Sequence, residues 1–180
     1  MSHVLLAVML LTAVMSDVHS RRISNTLVVA GLVLAFMSHA VTLTRHALPL
    51  AGPAWWSPLT GMLTGLTLLM PLYLLRATGA GDVKLMGMVG AFIGVEPVLT
   101  STLYTLIAGG LLSLVFMLRP GVAAQALTNV RFLLTDWMFR ASSGQSARLA
   151  PLHATAARLP YAVAIALGTG AALLWPLTTP

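Results

Sequence analysis

The chain lacks cysteine and is poor in charge, above all in negative charge. Its 180 residues hold ten Lys and Arg but only four acidic side chains. Without cysteine there are no disulfides, no thiolate zinc site and no cysteine nucleophile. Charged residues make up 8% of the chain, where a soluble domain carries roughly 25%. Hydrophobic residues make up 58% and the mean hydropathy is +0.91. That balance identifies an integral membrane protein whose solvent is lipid. The length fits one all-α bundle of about six transmembrane helices, with residues 1–180 as a single membrane domain. The net charge of +6 and the pI near 11.2 do not require nucleic acid, because cytoplasmic loops of membrane proteins collect Lys and Arg.

Apolar runs lie near residues 4–16, 26–44, 57–75, 83–95, 98–118 and 159–177. A crossing helix needs about 20 residues, so the first and fourth runs are short. The first lacks a small-residue cleavage site after it and is expected to stay as a span. Glu96-Pro97 marks the far end of the fourth, because the residue before proline is pushed away from helix. With six spans, the loops at 17–25, 76–84 and 119–158 share one side. They hold Arg21, Arg22, Arg76, Lys84, Arg119, Arg131, Arg140, Arg148 and Arg158, which leaves only Arg45 opposite. The positive-inside rule then puts these loops in the cytoplasm and both termini outside. Trp55 and Trp56 fit the outer aromatic belt, and Pro71 is expected to bend the third span. Gly61-x-x-x-Gly65 and Gly90-x-x-x-Gly94 permit close helix approach, although such pairs recur by chance in apolar helices.

Within the long loop, Val122, Ala126, Leu127, Val130, Leu133, Leu134, Trp137 and Met138 follow a helical period, broken by Arg131, Asp136 and Arg140. This predicts an amphipathic helix at the cytoplasmic interface, either a lid or substrate guide or a passive surface helix. Residues 141–151 read as linker.

Two of the four acids, Asp17 and Asp82, stand at the cytoplasmic ends of apolar runs. Asp17 ends the first run, in Ser16-Asp17-Val18-His19-Ser20-Arg21-Arg22-Ile23-Ser24-Asn25. Asp82 closes Gly79-Ala80-Gly81-Asp82, followed by Val83-Lys84-Leu85-Met86. An ionisable group near hydrocarbon needs a partner or a cavity and marks a candidate site. Gly79 and Gly81 predict a non-helical turn with backbone angles closed to other residues. Asp82 taken alone also reads as a helix N-cap, and Asp17 alone as an interfacial charge paired with Arg21 or Arg22. If the two carboxylates meet, they share one proton. The ionised member can then take a proton from water while the protonated member polarises a carbonyl. No two of His3, His19, His39, His46 and His153 have the i, i+4 spacing of a helical metal site, so neither metal nor cofactor is expected.

Asp17 ahead of Arg-Arg-Ile-Ser-Asn, the segment from Gly79 to Met86, and Pro160-Tyr161-Ala162-Val163-Ala164-Ile165 together resemble the type IV prepilin peptidases. The small, single-domain form associated with Flp/Tad pili is the nearest likeness. The resemblance implies an aspartic endopeptidase of the bacterial inner membrane. It would cut the short basic leader from prepilins or pseudopilins at the cytoplasmic face. Asp17 and Asp82 become the catalytic pair, and Gly79 and Gly81 shape the site. Lys84 matches the motif's lysine, while Pro160 and Tyr161 border the substrate cavity. Ser24 stands where relatives often carry proline, which is expected to loosen that loop. Larger relatives also methylate the new pilin N-terminus with a cysteine-bearing domain, and this activity is not carried over. Two other readings use the same residues: a small proton-coupled transporter, and a non-catalytic pilus-assembly membrane protein. The oligomeric state is not encoded in any motif.

Overall fold

The computed structural model describes residues 2–75, 78–118 and 160–177, together with 121, 123–125, 127–128, 130–132 and 135. Six helices carry the fold: α1 (Ser2–Ser20), α2 (Asn25–Thr44), α3 (Ser57–Leu74), α4 (Ala80–Ile93), α5 (Val95–Met117) and α6 (Tyr161–Leu174). No strand occurs among the described residues. The protein is a helical membrane protein, and α1, α2, α3 and α5 are long and apolar enough to cross a bilayer. The expected count of six crossings is not met by length alone. Helices α4 and α6 have 14 residues each, which is about 21 Å at 1.5 Å per residue against about 30 Å of hydrocarbon.

The chain divides into two compact units, Met1–Gly109 with Pro160–Pro180, and Gly110–Leu159. The second unit holds the end of α5 and part of the expected amphipathic helix. Positions 123–125, 127–128, 130–132 and 135 are helical, Gln125 N–H donates to the Gly121 carbonyl at 3.0 Å, and Leu127, Val130 and Phe132 are exposed. Val122, Ala126, Leu133, Leu134, Asp136, Trp137, Met138 and the linker at 141–151 lie outside the described residues. So do Arg76, Arg119, Arg140, Arg148, His153 and Arg158.

The first unit is built around α4, which packs on α1, α2, α3 and α6. Every residue from Leu85 to Ile93 is buried. A helix apolar all round belongs in such a place. Its tightest seam is with α3. A Cβ on Gly61 would strike the Gly90 carbonyl, and one on Gly65 would strike the Met86 carbonyl. The glycine pairs that looked incidental in the sequence therefore bring two backbones together, the way helices gain dispersion contacts where lipid removes the hydrophobic drive. Helix α4 stops at Gly94, whose φ of 82° suits glycine, and Ala51 packs on its bare face. The chain restarts as α5 at Val95, so Pro97 sits in the first turn of α5, where proline's missing N–H costs nothing. The α5–α6 contact includes a polar pair, the Ser101 and Thr169 hydroxyls, which lie 2.9 Å apart.

The outward faces are apolar. Leu11, Val33, Met37, Leu63 and Leu111 are all exposed, as expected where the surroundings are acyl chains. Trp55 and Trp56 stack edge-on at 5.4 Å before α3. Behind them, the buried His39 on α2 bonds through Nε2 to the Ala54 carbonyl at 3.0 Å. Helix α3 runs one turn past Pro71 to Leu74.

Candidate active site

Asp17 lies in the last turn of α1 and is buried, with 7% of its surface exposed. That is the wrong end of a helix for a negative charge, because the macrodipole there is negative too. The compensation comes from a distant part of the chain. Ala162 N–H, in the first turn of α6, donates to Asp17 Oδ2 at 3.0 Å. The first N–H groups of a helix have no intrahelical acceptor and take an anion readily.

Asp82 is the third residue of α4 and is 9% exposed. Its Oδ2 accepts from Gly79 N–H at 2.9 Å. This is half of a capping box, completed from the aspartate side only, since Gly79 has no side chain to reciprocate. The sequence reading placed Asp82 in a non-helical turn or at the N-cap. The helix instead starts at Ala80, Gly79 is the N-cap, and Asp82 occupies N3. Neither glycine has a positive φ. Gly79 is extended, at φ −83° and ψ 155°, and Gly81 is helical. What glycine supplies here is space: a Cβ on Gly81 would come within 3.1 Å of the Ile23 side chain, and one on Gly79 within 3.3 Å of Asp82 Oδ2.

Asp17 and Asp82, 65 positions apart in the sequence, lie close enough to interact electrostatically. Ile23, which lies against Gly81, belongs to the turn between α1 and α2. Arg21 takes a left-handed conformation, φ 53°, uncommon for a residue with a side chain. The chain then folds back, and the Arg22 carbonyl accepts from the Ser16 and Ser20 hydroxyls at 2.9 and 3.2 Å. Ser24 does not loosen this turn. It is the N-cap of α2, its hydroxyl accepting from Thr26 N–H at 3.2 Å.

Lys84 does not pair with Asp82. Two residues along a helix point to different faces, and Lys84 Nζ donates to Asn25 Oδ1 at 2.9 Å. The two residues line a cavity of about 390 Å³ together with Val28, Val29, Leu32, Met62, Leu66, Gly87 and Met88. Pro160 is the N-cap of α6 and Tyr161 its first residue, both half-buried. Tyr161 lies within electrostatic reach of Asp82. Its ring rests on α5, where a Cβ on Gly109 would meet Cε2 at 2.8 Å. Among the described residues no group of three His, Asp or Glu comes together to hold a metal ion.

The sequence reading missed the Ala162 amide, Ile23 and Gly109. One signal was present for the first: a proline ahead of an apolar run marks a helix start with free N–H groups. Nothing in the sequence marks Ile23 or Gly109, whose roles depend on what packs against them.

The model of the type IV leader peptidase family matches residues 4–114. That stretch contains both aspartates and ends within α5; α6 lies outside it. Neither the curated proteins nor the solved structures offer a match to the chain.

Proposed function

Because the chain belongs to the type IV leader peptidase family, we propose that it is an aspartic endopeptidase. Its substrates are Flp-like prepilins or pseudopilins, from which it removes the short basic leader. The observation that supports this reading is that two buried carboxylates from remote parts of the chain, each accepting from a backbone N–H, lie within electrostatic reach of one another.

Asp17 and Asp82 share one proton. The ionised carboxylate takes a proton from water, and the oxygen of that water attacks the scissile carbonyl carbon. The protonated carboxyl gives its proton to the carbonyl oxygen. When the tetrahedral intermediate collapses, the carboxyl that took the water proton gives it to the amine nitrogen, the other carboxylate takes a proton back from a hydroxyl of the gem-diol, and the C–N bond breaks as the carbonyl reforms. Gly79 and Gly81 keep the approach to Asp82 open. Pro160 and Tyr161 border the substrate cavity, and Lys84 with Asn25 guards the mouth of the neighbouring groove.

The six helices cross the inner membrane six times, with both termini periplasmic and the site facing the cytoplasm. The two helices too short to span, α4 and α6, are those that begin at the aspartates. A recessed, water-filled site shortens the hydrocarbon they must cross, and irregular backbone is tolerated at depth where it lines such a cavity. The proposed reaction is leader removal, without the N-methylation that larger relatives add.

Incubating the purified protein in detergent with a prepilin, and weighing the products by mass spectrometry, tests this. Leader removal is expected from the wild type, with Asp17→Asn and Asp82→Asn each inactive at normal protein level. Normal cleavage by either variant refutes the mechanism. Proton flux in proteoliposomes without any cleavage would point to a transporter.

A further inference from the structure

The cavity of about 390 Å³ between α2, α3 and α4 is apolar except for one pair of side chains, Asn25 and Lys84. Both stand at the same end of it. Asn25 is the first residue of α2, and the other α2 side chains in the lining, ending with Leu32, follow it along the helix. Lys84 likewise precedes Gly87 and Met88 on α4. From Asn25 to Leu32 the groove runs about 10 Å along α2, at 1.5 Å per residue. That helix is long and apolar enough to cross the bilayer. A polar end that opens onto hydrocarbon walls suits a ligand that is itself amphipathic.

The pair presents donors only. Lysine carries three N–H groups and no acceptor. One N–H goes to Asn25 Oδ1 at 2.9 Å, which uses the oxygen of the amide and leaves its NH2 group open. Lys84 is exposed, and no carboxylate pairs with it among the described residues. Two ammonium N–H groups and one amide NH2 therefore face outward together, an arrangement that takes an anion. Shape narrows the ligand further. A volume of 390 Å³ over that depth gives a cross-section of about 40 Å², whereas a helix with its side chains is 10–12 Å across and needs about twice that. Met62 and Met88 in the walls are flexible thioethers that adapt to a chain of no fixed shape. The cavity between α1 and α6, about 410 Å³, is of similar size but is lined by no lysine or arginine, so it offers hydrocarbon without an anchor for a headgroup.

We propose that the groove between α2, α3 and α4 binds an anionic phospholipid, one acyl chain lying in the groove and the headgroup phosphate accepting from Lys84 and Asn25. A basic pocket between spanning helices selects lipids of net negative charge. A zwitterionic lipid has the same phosphate, but its own cation competes with Lys84 for it.

The test uses full-length protein stripped of lipid in detergent. Bound lipid is counted by native mass spectrometry, and the melting temperature is followed as lipid is added. Phosphatidylglycerol is expected to bind about tenfold more tightly than phosphatidylcholine, the size of one charge-assisted hydrogen bond. Lys84→Gln and Asn25→Asp should each erase that preference, the second by giving the lysine an ion-pair partner. Lys84→Arg should keep it. Leu32→Phe, which narrows the groove, should weaken both lipids alike. Arg45→Gln, in a separate cavity at the opposite end of α2, should leave the preference intact. Equal binding of the two lipids by the wild type overturns the proposal, as does a preference that survives Lys84→Gln or is lost in Arg45→Gln instead. Glycerol 3-phosphate, a headgroup without chains, should not stabilise the protein; stabilisation equal to that by phosphatidylglycerol would make this a site for free phosphate. Stabilisation by an apolar transmembrane peptide but by neither lipid would assign the groove to a protein helix. None of these readouts involves cleavage, so they stand apart from the peptidase reading.

Discussion

Asp17 and Asp82 are both buried acids at helix ends, yet they are held in opposite ways. Asp82 sits in the first turn of its own helix, where the macrodipole favours a negative charge. Its partner, Gly79, is three residues upstream. Asp17 sits in the last turn of α1, where the dipole opposes it, and its partner is Ala162, 145 residues away. One carboxylate is thus stabilised by local sequence. The other is stabilised only when α6 has docked beside α1. A buried acid at an unfavourable helix end needs a compensating interaction, and the Ala162 N–H supplies one.

The comparison can be broken from either side. The largest effect is expected from Ala162→Pro. Proline is accepted in the first turn of a helix, so α6 persists while the N–H that holds Asp17 is gone. A hydrogen bond to a charged group is worth about 1.5–3 kcal/mol, and prepilin cleavage should fall about 100-fold. Activity equal to wild type would mean that Asp17 is positioned by something other than α6. Gly79→Pro is the matching change on the other side. Gly79 already has φ −83°, close to the angle proline imposes, so the backbone is kept and only the N–H to Asp82 is lost. Cleavage is expected to fall about tenfold, less than for Ala162→Pro, because Asp82 keeps the other free amides of the α4 N-terminus. A larger loss than in Ala162→Pro would reverse the ranking of local and distant support.

The smallest effect concerns stability. Asp17→Asn keeps an oxygen for Ala162 and removes a charge from the wrong end of α1, so the melting temperature in detergent should rise. Asp82→Asn removes a charge from the right end of α4, so it should fall. Each dipole contribution is about 0.3–1 kcal/mol. The expected sign difference is checked by thermal unfolding of both variants, and two shifts of the same sign would refute it.

Much of this molecule was legible in the chain. The four long helices follow from runs of apolar residues, and the aspartates stand out because so few acids exist. Inward faces were harder to read. In water, an amphipathic stripe marks the side that packs. In lipid both sides are apolar, and Leu63, exposed, and Leu69, buried, look alike in the sequence of α3. The packing side is marked instead by small residues such as Ala13, Ala35, Gly61 and Gly65. The two glycines before Asp82 were found for the right place and the wrong reason: their neighbours need room, and their backbone angles are ordinary.

Composition and pattern alone determined that this protein is a helical membrane protein with two acids at helix ends, because hydrophobic length and charge scarcity are properties of single segments. Tertiary structure decided that Asp17 and Asp82 lie within electrostatic reach of each other, that Ala162 steadies one of them and that Gly109 seats Tyr161. Those facts depend on which surfaces touch, and a helix surrounded by lipid carries little in its own sequence to say which neighbour it will face.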